Sequence, residues 1–203
     1  MFPFDVILFD VGGVLLTNGW DHAERAAAVR QFNLDAEALT ARHMAAFDAW
    51  ERDQITLDAY LDAVVFNQPR TFSREEFFAF MLAQSKLLPG GAMEILQEIA
   101  AAGRYLVGAL NNEARATNEH RFCKFGLREI FDVALSSCYV GLRKPEPAMY
   151  RRALDILGGP PERILFIDDR EENVAGAAAA GIKAIHFQGA AALRRELAVL
   201  RVL

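Results

Sequence analysis

The chain has 203 residues, 53% hydrophobic and 24% charged, with a formal net charge of −5. That size and apolar content suit one large domain, or a domain with an insertion, around a sizeable core. The acidic balance argues against nucleic-acid binding by bulk electrostatics. The first apolar run is too short to span a membrane and carries Asp5 and Asp10, so no membrane partner and a cytoplasmic location are expected. Cys123 and Cys138 have neither metal-ligand spacing nor a disulfide framework around them, which fits a reducing compartment.

In chain order, residues 5–9 read as a short buried strand, broken by Gly12-Gly13. From about Trp20 to Lys86 the pattern is helical throughout. Within it Thr56 is placed to cap a helix over 57–66, and Ser73-Arg74-Glu75-Glu76 forms a capping box ahead of an aromatic-rich helix. Phe77, Phe78, Phe80, Met81 and Leu82 of that helix are expected on the inner face of a small bundle. After Leu87–Gly91 strands and helices alternate. A helix over 92–102, a strand over 105–110, a helix from about Glu113 and a strand near 133–135 are followed by a helix over 148–157. A strand over 164–167, a helix over 172–180 and a strand over 183–187 complete the series. The basic pairs Arg151-Arg152 and Arg194-Arg195 read as solvated helix faces.

Such alternation predicts an α/β fold, a three-layer Rossmann-like parallel sheet with helices on both sides. Residues 1–17 and 87–203 would form that core, and 18–86 an inserted α-helical cap. Ligands of open parallel sheets bind beyond the carboxyl ends of the strands. Asp10-Val11-Gly12, Asn111-Asn112 and Asp168-Asp169 stand at three such ends, and the loop Gly-Leu-Arg-Lys-Pro-Glu-Pro (141–147) adds Lys144. A buried strand that ends on an acid is costly unless the acid is paired or metal-bound. Asp10, Asp168 and Asp169 gathered in one cleft call for a cation. Oxygen ligands without His or Cys fit Mg²⁺, whose shell is usually completed by water and phosphate. Lys144 would offset the remaining charge and hold a phosphoryl oxygen.

These residues, in this order, resemble the haloacid dehalogenase-like hydrolase superfamily, through ILFDVGGVLL, GALNNE, GLRKPEPAMY and ILFIDDREENVAGAAAAG. The resemblance implies that Asp10 attacks phosphorus and forms an aspartyl-phosphate that water cleaves. It implies Mg²⁺ held by Asp10, the Gly12 carbonyl and Asp169, with Asp168 orienting Lys144 or a metal-bound water and Asn173 holding a further water. Two positions depart from the pattern. Most phosphatases of the superfamily have an acid–base Asp where this chain has Gly12, and such help is worth about 10²–10⁴-fold. Asp21 and His22 are candidate replacements, though both also read as helix-start residues. Asn111 replaces the usual Ser or Thr; its amide can still donate to a phosphoryl oxygen. Asn112 would add a second donor or cap the following helix.

The expectation is therefore a Mg²⁺-dependent phosphatase for a small phosphorylated metabolite. A metal-independent 2-haloacid dehalogenase and a non-catalytic binding protein on the same fold are the alternatives. Trp20, Trp50 and Arg52 are placed either along the cleft or in cap packing. The assembly is left open between monomer and homodimer.

Overall fold

The computed structural model describes residues 3–203. Its centre is a five-stranded parallel sheet built from β1 (Val6–Phe9), β2 (Leu106–Asn111), β3 (Val133–Ser136), β4 (Ile164–Asp168) and β5 (Lys183–His186), in the order β3-β2-β1-β4-β5. β1 is buried along its whole length because both faces are covered. Ile7 and Phe9 enter one apolar cluster with Ile95 and Leu96. Val6 and Leu8 enter another with Met149, Tyr150 and Ala177. Two covered faces explain why the strand reads as a continuous apolar run and not as an alternation.

Helices α5 (Ala92–Ala101) and α10 (Ala190–Val199) pack on the first face, with Phe122 of α6 (Arg115–Lys124). Helices α8 (Pro147–Leu157) and α9 (Glu171–Ala179) pack on the second. A single turn, α7 (Ser137–Val140), follows β3 directly. Arg151, Arg152, Arg194 and Arg195 are all exposed, on the outer sides of α8 and α10. No helix among the described residues is long and apolar enough to cross a membrane.

Between β1 and α5 lie α1 (His22–Phe32), α2 (Ala36–Glu51), α3 (Leu57–Val64) and α4 (Arg74–Ala83). They close on a separate apolar cluster that includes Trp20, Trp50, Tyr60, Phe77 and Met81. Thr56 caps α3 through Ala59 N–H, and Ser73 and Glu76 form the capping box of α4. Trp50 stacks on Tyr60 with centroids 3.9 Å apart, so it is cap packing and not cleft lining. The two linkers cross the seam as an antiparallel pair: Thr17 N–H donates to Lys86 O at 2.9 Å and Leu88 N–H to Leu15 O at 3.0 Å.

Most differences from the sequence expectation are shifts at element ends. α3 stops at Val64 because the Val65 and Phe66 amides both turn back to Leu61 O. α6 begins at Arg115 with Ala114 as its N-cap residue, so Asn112 does not cap it. Asn112 is engaged instead with the backbone of Lys144.

Candidate active site

Parallel register brings the acids together. Phe9 pairs with Ile167, so the residue that follows β1, Asp10, stands level with Asp168 at the carboxyl edge, and Asp10 N–H donates to Ile167 O at 2.8 Å. Asp169 follows in the turn to α9, and the three carboxylates offer oxygens within 4.8 Å of one another. Lys144 enters from the loop before α8 and is almost fully buried. Its Nζ lies 2.6 Å from Asp168 Oδ2 and 3.1 Å from Asp10 Oδ2.

The two carboxylates of the acidic pair differ. Asp168 has both oxygens engaged, accepting from Arg170 N–H, from Asn173 Nδ2 and from Lys144. Asp169 Oδ1 is buried with no hydrogen-bond partner among the described residues. Such an atom is costly unless something positive reaches it. Gly13 makes room for this carboxylate. A Cβ there would stand 2.1 Å from Asp169 Oδ2, and its φ of +76° is one that other residues rarely adopt.

Three carboxylates against one ammonium leave the cluster two charges short of neutrality. Burial, reinforced by Asp168 and Asp169 and opposed by Lys144, pushes the Asp10 carboxyl up to about 7. Burial and Asp168 raise Asp169 as well. Lys144 moves up too, because the attraction of Asp10 and Asp168 outweighs its burial. The two partners' shifts pull against each other, since one favours a neutral acid and the other a charged amine. Lys144 keeps its proton, and Asp10 carries the excess because too few positive charges face the acids. All-oxygen donors, an orphaned carboxylate oxygen and a twofold negative excess fit Mg²⁺.

Asn112 holds Lys144 in place. Its side chain accepts from Lys144 N–H and donates to Lys144 O, each at 2.9 Å. Asn111 does not line the cavity, which corrects the expectation of an amide aimed at phosphate. Its Nδ2 donates to Asn118 Oδ1 at 2.9 Å, and its Oδ1 accepts from Ser136 Oγ at 2.7 Å. Asn118 in turn donates to Ser136, so the buried trio satisfies itself. Asn173 borders the cavity and stands behind Asp168: its side-chain amide donates to Asp168, and its backbone carbonyl accepts from Tyr150 OH.

Above the acids lies a cavity of about 340 Å³ bordered by core and cap residues together. Asp10, Gly12, Asn112 and Lys144 form part of its core side, and Trp20, Arg25, His43 and Glu51 part of its cap side. Trp20 Nε1–H donates to Tyr60 OH at 2.8 Å, and the same hydroxyl lies 2.8 Å from His43 Nδ1. The hydroxyl thus bridges the indole and the imidazole. Burial, helped by Arg25, holds His43 down to about 4, so it is a neutral donor. Asp21 is the N-cap of α1 and also accepts from Arg170, a helix-start residue tied to the core. Arg52 pairs with Asp48 one turn back on the cap and with Glu146 across the seam.

Sequence reasoning missed Gly13 as a spacer, the Trp20–Tyr60–His43 chain, and a buried Glu113–Arg121 pair beside the cavity. The place of Gly13 shortly after Asp10 and the closeness of Glu113 and Arg121 in sequence were usable signals; Trp20, His43 and Tyr60 come from separate elements.

Among curated proteins, the pyrophosphatase PpaX of Bacillus cereus is 36% identical over 90 residues, 44% of this chain and 41% of that protein. The chain spans about half or less of the length of the curated relatives it matches. Among solved structures, a haloacid dehalogenase family enzyme from Bacteroides thetaiotaomicron, crystallised with magnesium and inorganic phosphate, superposes with a TM-score of 0.76. It is 21% identical, over 92% of this chain and 95% of that one. A structure described as a dehalogenase superposes with a TM-score of 0.65 at 21% identity, over 91% of this chain and 85% of the other. At such identities the two structures establish the fold. The sequence pattern of the family matches residues 4–181, taking in β1, the cap and all of the acidic site, and the chain belongs to the haloacid dehalogenase-like hydrolases.

Proposed function

We propose that the protein is a Mg²⁺-dependent phosphatase that hydrolyses a small phosphorylated metabolite through an aspartyl-phosphate on Asp10. The observation that carries this reading is the pairing of a Lys-bound nucleophile candidate, Asp10, with an orphaned neighbouring carboxylate oxygen on Asp169. In this reading Asp10, the Gly12 carbonyl and Asp169 hold the cation, which would neutralise phosphate charge and admit the anion to an acidic cleft.

The chain's own residues have the following parts. Val11 N–H binds Asp10 Oδ1 at 2.7 Å and Lys144 faces Oδ2, which fixes the carboxylate for in-line attack. Lys144 also offers a proton-bearing amine to a phosphoryl oxygen, with its backbone clamped by Asn112. Asp168, held by Asn173 and the Arg170 amide, orients Lys144. Asn111 supports the sheet edge behind the site. The attacked phosphorus passes from the substrate oxygen to Asp10, and water then cleaves the acyl-phosphate. A cavity of about 340 Å³ suits a small metabolite. A metal-independent dehalogenase would leave the Asp169 oxygen without a task.

The test is hydrolysis of phosphorylated sugars, nucleotides and p-nitrophenyl phosphate, with Mg²⁺ or EDTA, beside Asp10→Asn. The expected result is turnover that EDTA abolishes and that Asp10→Asn lowers by about 10⁴-fold or more. Halide release from 2-haloacids unaffected by EDTA, or no turnover by wild type at all, would reject the proposal.

A further inference from the structure

Gly12 leaves the nucleophile without a neighbouring side chain able to protonate a departing oxygen. A Cβ there would lie 3.1 Å from Asn18 Oδ1, the end of a side chain that must give slightly, 3.5 Å from Asn18 Cα and 3.7 Å from Arg121 Nη2. Besides Asp10, four acids border the cavity: Asp21, Glu51, Glu113 and Glu172. Asp21 is committed to the start of α1 and to Arg170. Glu113 has one oxygen on Thr117 and the other on Arg121. Glu172 is exposed on the first turn of α9, on the core side.

Glu51 differs from all three. It ends α2, so the cap carries it, yet the core fixes it. Its Oε2 accepts from Arg143 Nε at 2.6 Å, and its backbone carbonyl accepts from Ser137 Oγ at 2.8 Å. Arg143 immediately precedes Lys144, which ties this carboxyl to the strand-edge machinery. Oε1 has no hydrogen-bond partner among the described residues and belongs to a residue that borders the cavity. Neutral His43 cannot take the same part, because its Nδ1 is occupied by Tyr60 and a neutral imidazole gives up no proton near neutral pH.

We propose that Glu51 is the acid–base residue that stands in for the one missing at Gly12, delivered across the cavity by the cap. The inference rests on the phosphatase reading. In the first half-reaction an Asp10 oxygen bonds to phosphorus while the P–O ester bond breaks. The ester oxygen leaves with that bond's electron pair and takes the Glu51 proton. In the second, water attacks the aspartyl-phosphate and gives a proton to the Glu51 carboxylate. The P–O bond to Asp10 breaks with its electrons returning to Asp10, so the acid is regenerated and the products are an alcohol and inorganic phosphate. Burial raises the Glu51 carboxyl, with Arg143 opposing, Glu113 reinforcing and Arg170 opposing, so the group is able to hold the proton it must give.

Leaving-group dependence separates this role from a purely structural one. p-Nitrophenolate departs without help, whereas phenolate needs a proton. The measurement is kcat on p-nitrophenyl phosphate and phenyl phosphate for wild type, Glu51→Gln and the double variant Gly12→Asp/Glu51→Gln. Gln keeps an acceptor for Arg143 and the backbone bond to Ser137. Glu51→Gln is expected to lose about 10²–10⁴-fold on phenyl phosphate and less than about 10-fold on p-nitrophenyl phosphate. The double variant, with an acid restored beside the nucleophile, is expected to regain at least about 10-fold on phenyl phosphate. Equal losses on both esters, or no loss on phenyl phosphate, would overturn the role of Glu51 while leaving the phosphatase in place. Failure of wild type on both esters and on the phosphorylated sugars and nucleotides would remove the phosphatase reading and this inference with it.

Discussion

The buried acidic site and the seam between cap and core use the same residue types in opposite ways. At the seam, Arg115 meets Asp53, Arg143 meets Asp48, Arg170 meets Asp21 and Arg52 meets Glu146, each cation with an acid across the gap and most of these side chains partly exposed. At the sheet edge one fully buried lysine faces two carboxylates, and a third carboxylate close by has an orphaned oxygen. Paired, hydrated charges cost little to separate and contribute little when joined. Buried, unbalanced charges hold free energy that a ligand can release. The seam is thus suited to fixing where the cap sits, and the acidic site to binding something positive.

The largest effect that would sharpen this contrast is Lys144→Met. It leaves Asp10 and Asp168 buried without their cation, and we expect a loss of about 3–5 kcal/mol of stability without metal, read by denaturant unfolding. A change below about 1 kcal/mol would mean that the cluster is better hydrated than its burial implies. The smallest effect is at the seam. Arg115→Ala removes a half-exposed pair with Asp53 and should cost only about 0.2–1 kcal/mol, less at high salt. A loss as large as that of Lys144→Met would break the comparison.

What the sequence makes legible follows from how local each signal is. Asp10 and the Asp168-Asp169 pair end apolar runs, so their place at a sheet edge is visible from a few neighbours. Lys144 is visible through its motif. Asn111 was not: its neighbours in sequence do not reveal that Asn118 of α6 and Ser136 of β3 take up its amide. Gly13 looks like an ordinary strand breaker until Asp169 is placed against it. The role of Trp50 depends on Tyr60 from another helix, and α7 is too short for any periodicity to announce it. Element type was legible where apolar spacing was sustained; element ends were decided by single hydrogen bonds, as at Phe66.

The orphaned Asp169 oxygen and its neighbours are expected to form a Mg²⁺ site at which a proton competes with the metal. Because the Asp10 carboxyl is raised to about 7, it holds a proton below that pH, and Mg²⁺ must displace it. Above that pH the proton is gone and the cation meets an ionised carboxylate. The direct measurement is calorimetric titration of Mg²⁺ into metal-free protein at pH 8 and pH 6, for wild type and Gly13→Ala. One site is expected in wild type, bound more weakly at pH 6 with release of a proton, and lost when the added methyl displaces Asp169. Binding of equal strength at both pH values, or binding that Gly13→Ala leaves intact, would contradict it.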